Sequence, residues 1–169
     1  MKKIVLLLTL ALFMATPALA QKIGYVDLQK ALNMSTAGQK AKEEISGKFQ
    51  SYQEELNSRQ EELKKLKDDL EKQAILLSED ARAQKERDFQ RKLKDFQRFA
   101  KDVEEELQQK DAYHTRQILE EIGGIIENIG KRDGYTVILE RTESSVLYGD
   151  PAVDLTDQVI EVLNAQSKK

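Results

Sequence analysis

Residues 45–77 read ISGKFQSYQEELNSRQEELKKLKDDLEKQAILL, and the spacing of their apolar residues indicates the architecture of the chain. Alternating steps of four and three residues pick out a stripe in which eight of ten positions are apolar: Ile45, Phe49, Tyr52, Leu56, Arg59, Leu63, Leu66, Leu70, Gln73 and Leu77. This heptad spacing is typical of a helix that packs lengthwise against another helix. The sequence therefore predicts a long helix with a narrow buried seam.

A second seam follows after a break near residues 76–81. Its members keep the same spacing: Phe89, Leu93, Phe96, Ala100, Val103 and Leu107. Ser78 or Asp80 can cap a new helix here. We predict helices at about 36–77 and 80–131, folded into an antiparallel coiled-coil hairpin. One continuous helix is the alternative, since neither glycine nor proline occurs from Lys48 to Ile122. The hairpin is favoured because the two seams differ in phase and both chain ends must return to one head.

Strand signals flank the predicted arm. Residues 22–27 alternate, residues 135–140 are rich in β-branched and aromatic side chains, and residues 145–148 are a candidate return strand. Asp154 can cap a final helix. We therefore expect an α+β chain that is mostly helical, with a small β-rich head formed by 21–35 and 132–169 and an arm formed by 36–131. Because so small a sheet is marginal alone, the head is expected to self-associate.

The first twenty residues have the order of a secretory signal. Two lysines precede an apolar run over 4–14, and Ala18 and Ala20 form an Ala-x-Ala site before Gln21. A membrane anchor is the alternative, but the apolar run is too short, since a membrane-spanning helix needs about 20 apolar residues. We expect cleavage after Ala20 and export of a soluble mature chain.

Composition excludes several classes of function. Without its signal the chain keeps 25 basic and 30 acidic residues, a formal charge of −5, which argues against nucleic-acid binding. It has no cysteine and one histidine, so a thiol centre or an ordinary zinc site cannot be built. His114 reads as a solvated helix residue. Glu104, Glu105 and Glu106 point in different directions on a helix and do not converge on one ion. We expect no enzyme activity, no metal and no cofactor.

Gly123 and Gly124 interrupt the second helix near its end. They could form a hinge at the root of the arm, or a small-residue contact that lets two helices approach closely. The sequence favours neither.

Several segments together resemble the Skp/OmpH family of periplasmic chaperones. Residues 22–27 resemble the opening strand of that family, and 77–82 with 95–99 resemble the tip and the descending arm. Residues 134–139, 146–148 and 154–156 resemble the closing strands and the last helix. The resemblance covers nearly all of the chain after the signal.

The resemblance implies a jellyfish-like homotrimer, in which joined heads carry three arms around a cavity. It also implies an ATP-independent periplasmic holdase that keeps unfolded outer-membrane proteins from aggregating. The candidate trimerisation residues are Ile23, Tyr25, Val26, Val137, Leu139, Val146 and Tyr148. No lipopolysaccharide or membrane site is carried over, because this chain is acidic whereas the best-known members are strongly basic.

Two aromatic side chains are the candidate client contacts. Phe99 lies at the edge of the second seam and Tyr113 lies beyond it, whereas Phe89 and Phe96 are expected to pack inside. The alternative function is an envelope coiled-coil scaffold or adaptor that binds defined folded partners.

Overall fold

The computed structural model describes residues 21–73 and 76–167. The predicted signal, with Ala18 and Ala20, lies outside the described residues. The chain begins with strand β1 (Ile23–Val26), helix α1 (Leu28–Met34) and the long helix α2 (Thr36–Gln73). Helix α3 (Glu79–Asp133), strand β2 (Val137–Glu140), a 3₁₀ turn (Pro151–Val153) and helix α4 (Thr156–Gln166) complete it. The prediction of a mostly helical chain with long helices and a small sheet is confirmed.

Helices α2 and α3 form the antiparallel hairpin. Contacts between them run from Glu44 with Lys110 through Glu62 with Lys92 to Gln73 with Lys85, so residue numbers rise on one helix while they fall on the other. With 38 residues, α2 is about 57 Å long at about 1.5 Å per residue. A single continuous helix is thereby excluded.

The hairpin turns at residues 76–78, and its second helix has strong end signals. The Ser78 hydroxyl accepts a hydrogen bond from the Ala81 N–H, and Glu79 and Asp80 occupy the first turn. Acidic side chains at this end complement the helix dipole. Gly134 ends the helix in the left-handed conformation, with φ of 72°. Ser78, rather than Asp80, is therefore the cap.

The head ties the two ends of the chain together. Strands β1 and β2 pair in parallel, with Ile23 opposite Val137 and Tyr25 opposite Leu139. On the other side of β1, Tyr25 bridges to Asp154, and the Asp27 N–H donates to the buried hydroxyl of Thr156 at 2.9 Å. The C-terminal segment is thus fixed against the N-terminal strand.

Helices supply most of the head core. Ile118, Ile122, Ile125 and Ile129 of α3 pack with Val26, Ala31, Leu155, Val159 and Leu163. The last part of α3, inside the range predicted as arm, therefore belongs to the head core. Lys110 and His114 of α3 still contact Glu44 of α2, and Ile118 is the first α3 residue of the head core, so the partner of α3 changes from α2 to the head elements near Ile118.

The predicted return strand at 145–148 is wrong for the described chain. Residues 141–145 form turns, Ser145 adopts φ of 53°, and residues 146–150 have no strand partner. A strand forms only where a free sheet edge lies within reach. After the turns this segment instead lies over the ring of Tyr25. The described head therefore contains two strands and is less β-rich than predicted.

The structure of this chain supports neither role considered for Gly123 and Gly124. Both residues are helical and exposed, and a Cβ added at either would meet no atom within 4 Å. A close helix contact within the chain is thus absent there. A hinge is disfavoured as well, because Ile122 and Ile125 beside the pair are 0% and 3% exposed in the head core.

Candidate binding surfaces of the arm and the head

The predicted arm seam lies between the helices, with one exception. Leu63 and Val103 are buried, and these seam residues are half-buried: Ile45, Tyr52, Leu56, Leu66, Leu70, Phe89, Leu93, Phe96 and Leu107. Phe49 is the exception, since 52% of its side chain is exposed. The seam placement of Phe49 is corrected: the half-buried Lys48 beside it makes the cross-helix contact instead.

A polar cluster around Glu106 joins the helices near the middle of the hairpin. The hydroxyl of Tyr52 donates to one carboxylate oxygen of Glu106 at 2.7 Å, and Lys48 donates to the other at 3.0 Å. The hydrogen bond from Tyr52, together with that from Lys48, holds the pKa of Glu106 below its ordinary value. The same bond raises the pKa of Tyr52. These directional bonds favour one register of α3 along α2.

Phe99, one of the two candidate client contacts, makes cross-helix contacts at the edge of the arm seam. Its ring stands edge-on to the ring of Tyr52, with centroids 6.2 Å apart, and the guanidinium of Arg59 lies 4.1 Å from its centroid. Both partners are on α2, so Phe99 is half-buried by cross-helix contacts. Its role as a client contact stays a prediction.

Three large apolar side chains are exposed on the described part of the arm. Tyr113, the other candidate client contact, is 62% exposed, and its ring touches only the edge of His114 among its aromatic neighbours in the described chain. Phe49 is 52% and Leu76 is 85% exposed. Sequence reasoning missed Phe49 and Leu76 as surface residues. The position of Leu76 at a helix break could have indicated it.

The outer face of the sheet is apolar and exposed. Ile23, Val137 and Leu139 are 47%, 44% and 38% exposed. Leu147 and Tyr148, which follow the turns at residues 141–145, are 99% and 86% exposed. Isolated exposed apolar residues are ordinary, whereas a group of them makes a candidate interaction surface. We call these five residues the head patch.

Not every predicted head residue lies on this surface. Val26 is buried in the core and Tyr25 is covered, because Gly149 lies against its ring. Val146 is half-buried. Leu147 was missed, since the strand alternation assumed for 145–148 placed its neighbours Val146 and Tyr148 on one face. In the structure the two consecutive residues Leu147 and Tyr148 are both exposed.

The described part of the chain offers no metal centre and no membrane span. Residues 21–73 and 76–167 contain no group of three potential metal ligands among His, Cys, Asp and Glu. Within the same ranges, no helix combines the length and the apolarity needed to cross a bilayer. His114 is half-buried at the root of the arm, where its Nε2 lies 3.3 Å from Glu44.

Known proteins share this architecture. A solved chain from Caulobacter crescentus CB15, described as a candidate outer membrane chaperone (OmpH-like), superimposes with a TM-score of 0.80 at 22% identity, covering 89% of this chain and 88% of that one. No curated protein sequence matches significantly. Residues 22–163, from the first strand to the last helix, match the family described as outer membrane protein (OmpH-like). The chain therefore belongs to the OmpH-like family.

Proposed function

We propose that this protein is an ATP-independent periplasmic holdase for unfolded outer-membrane proteins. The observation that carries the proposal is the shape of the chain: a slender hairpin with isolated apolar side chains on its surface rises from a head with an exposed apolar patch. Membership of the OmpH-like family and the expected signal peptide support a periplasmic location.

The head is the proposed site of trimer assembly. The described part of β2 pairs on one side only, with β1, so its other edge keeps unpaired backbone groups that can accept a further strand. The head patch lies on the same small sheet and on the segment beyond it. Burying exposed apolar side chains stabilises association at about 25 cal/mol per Å². A neighbouring copy is a partner that satisfies both needs.

The arms are the proposed client-binding elements. Tyr113, Phe49 and Leu76 are spread along the hairpin, from near its root to its tip, and each is more than half exposed. A disordered client exposes many apolar segments, so several weak contacts on several arms give a useful total affinity without one strong site. Release then needs no nucleotide, provided the client binds its final membrane location more favourably.

Light scattering of a diluted, urea-unfolded β-barrel protein tests this proposal. We expect stoichiometric trimer to suppress aggregation, and the triple variant Phe49→Ser, Leu76→Ser, Tyr113→Ser to suppress it less while remaining trimeric and helical. A matched variant carrying three polar-to-serine changes, Gln53→Ser, Gln84→Ser and Gln109→Ser, should behave as the unmodified protein. Undiminished aggregation with the unmodified trimer would reject the holdase.

A pull-down from envelope extract distinguishes the scaffold alternative. A holdase should recover many unfolded barrel proteins, whereas an adaptor should recover one or two folded proteins at constant ratio.

A further inference from the structure

Each helix of the arm carries one row of charges of a single sign on its outer side, basic on α3 and acidic on α2. On α3 five exposed basic residues recur at steps of four, three, four and three: Arg87, Arg91, Lys94, Arg98 and Lys101. On α2 three acidic residues, Glu54, Glu61 and Asp68, recur every seven residues. This is the heptad position opposite the seam, where a side chain points away from the partner helix. Glu54 and Glu61 are exposed, and Asp68 is half-buried. We call these sets the basic row and the acidic row.

The two rows lie at the same level of the hairpin. The bonds from Lys48 to Glu106 and from Lys92 to Glu62 fix the antiparallel register of α2 against α3. Glu61, beside Glu62, is therefore level with the middle of the basic row, near Lys94. By the same register the acidic row spans the length of the basic row from end to end.

The rows do not neutralise each other within one chain. Among the salt bridges between described residues, none includes Arg87 or Lys94, and none includes a member of the acidic row. The other basic-row residues pair only with neighbours on α3, as Arg98 does with Asp95 at 2.6 Å. Both rows thus present charge to an outside partner.

We propose that the basic row of one copy docks against the acidic row of the next copy, so that neighbouring arms latch side by side. This inference rests on the shared head of the proposed function, because a common base makes the arms parallel and brings equal levels together. In a cyclic oligomer one edge of each arm faces the opposite edge of its neighbour. Matching rows at one level then pair as charged flanking positions do in coiled coils. The latch closes the space between arms until a client separates them.

Distances between spin labels on the arms test the latch. The chain has no cysteine, so Gln84→Cys on exposed α3 places one label on each copy of the full-length mature protein. At about 10 mM salt, where the Debye length is about 30 Å, we expect a population of short distances between labels. At about 1 M salt, where it is about 3 Å, that population should be lost.

Charge reversal supplies the decisive variants. Arg87→Glu, Lys94→Glu and Lys101→Glu together should abolish the short distances at low salt. Adding Glu54→Lys, Glu61→Lys and Asp68→Lys should restore them, since the rows are then exchanged. The matched control Lys64→Glu, Lys65→Glu, Lys67→Glu also replaces three basic residues of the arm by glutamate, at a similar level of the hairpin. Because it leaves both rows intact, it should keep the short distances.

Native mass measurement separates failure of the latch from failure of the proposed assembly. Trimers whose label distances ignore salt would overturn the latch and leave the proposed function standing. A monomer throughout would overturn both. If reversing the basic row weakened client holding without changing label distances in the free trimer, the row would bind clients and the latch would be wrong.

Discussion

At the scale of single residues, Gly149 lets the segment 146–150 lie against the ring of Tyr25 in the head. A Cβ added at Gly149 would lie 2.3 Å from Cε1 of Tyr25, whose side chain is 7% exposed and cannot retreat easily. Gly149→Ala should therefore lower the free energy of unfolding by about 1–3 kcal/mol, the usual cost of overpacking. Urea denaturation followed by circular dichroism measures it.

Gly47→Ala is the control with the opposite sign. Gly47 lies inside α2, and a Cβ added there would meet nothing within 4 Å. Because alanine is the better helix former, this change should raise stability by about 0.5–1 kcal/mol. Equal effects of the two substitutions would contradict the contact between Gly149 and Tyr25.

The cluster around Glu106 predicts a dependence of arm stability on pH. The folded pKa of Glu106 is lowered, so its contribution is present above the unfolded pKa of about 4.3 and is lost as pH falls through the folded value. Glu106→Gln should lower the melting temperature at pH 7 and lower it less at pH 3. The exposed neighbour Glu104→Gln is the control. A loss of equal size at both pH values would show that the charge of Glu106 is not what stabilises the hairpin.

At the scale of elements, α3 has two different partners along its length. Leu63 of α2 packs in the arm seam at 8% exposure, whereas Ile122 of α3 lies in the head core at 0%. Truncating a buried Leu or Ile to Ala costs about 2–5 kcal/mol. Leu63→Ala should accelerate hydrogen exchange in the arm and spare the head, whereas Ile122→Ala should accelerate exchange throughout. Leu76→Ala, at an exposed position, should change neither. Uniform acceleration by Leu63→Ala would mean that arm and head unfold as one unit.

The sequence predicted the long helices better than the side-chain contacts between them or the short strands. Heptad spacing predicted both long helices, and Ser78 marked the start of the second, because these signals are local to one helix. Phe49 was misplaced in the seam, since the choice between it and Lys48 depends on the side chains of the facing helix. The strand at 145–148 failed for a similar reason: alternation describes a side-chain pattern, and a strand also needs an edge within reach.

At the scale of the whole molecule, assembly is proposed to depend on the head patch. Leu147→Asp with Tyr148→Asp removes two side chains that are 99% and 86% exposed, so the fold of a single chain should not depend on them. Each buried apolar side chain contributes about 1.5–3 kcal/mol to an interface, so we expect native mass spectra to shift from trimer to monomer at low micromolar protein. Helicity by circular dichroism should persist.

Charge alone must be excluded as the cause. Leu76→Asp with Tyr113→Asp adds the same two charges on the arm and should leave the trimer intact. A trimer that survives the head substitutions would place the interface elsewhere.

The parallel pairing of β1 with β2 sets an order of assembly for the chain. Lys22 donates to the carbonyl of Asp133, 111 residues later, and the paired residues of the sheet have a similar separation in sequence. Closing so long a loop is slow and entropically costly, whereas a hairpin that zips from its turn shortens the effective loop to a few residues. During synthesis β1 therefore stays unpaired until β2 has been made. The head forms last, after the folded arm has brought β2 next to β1.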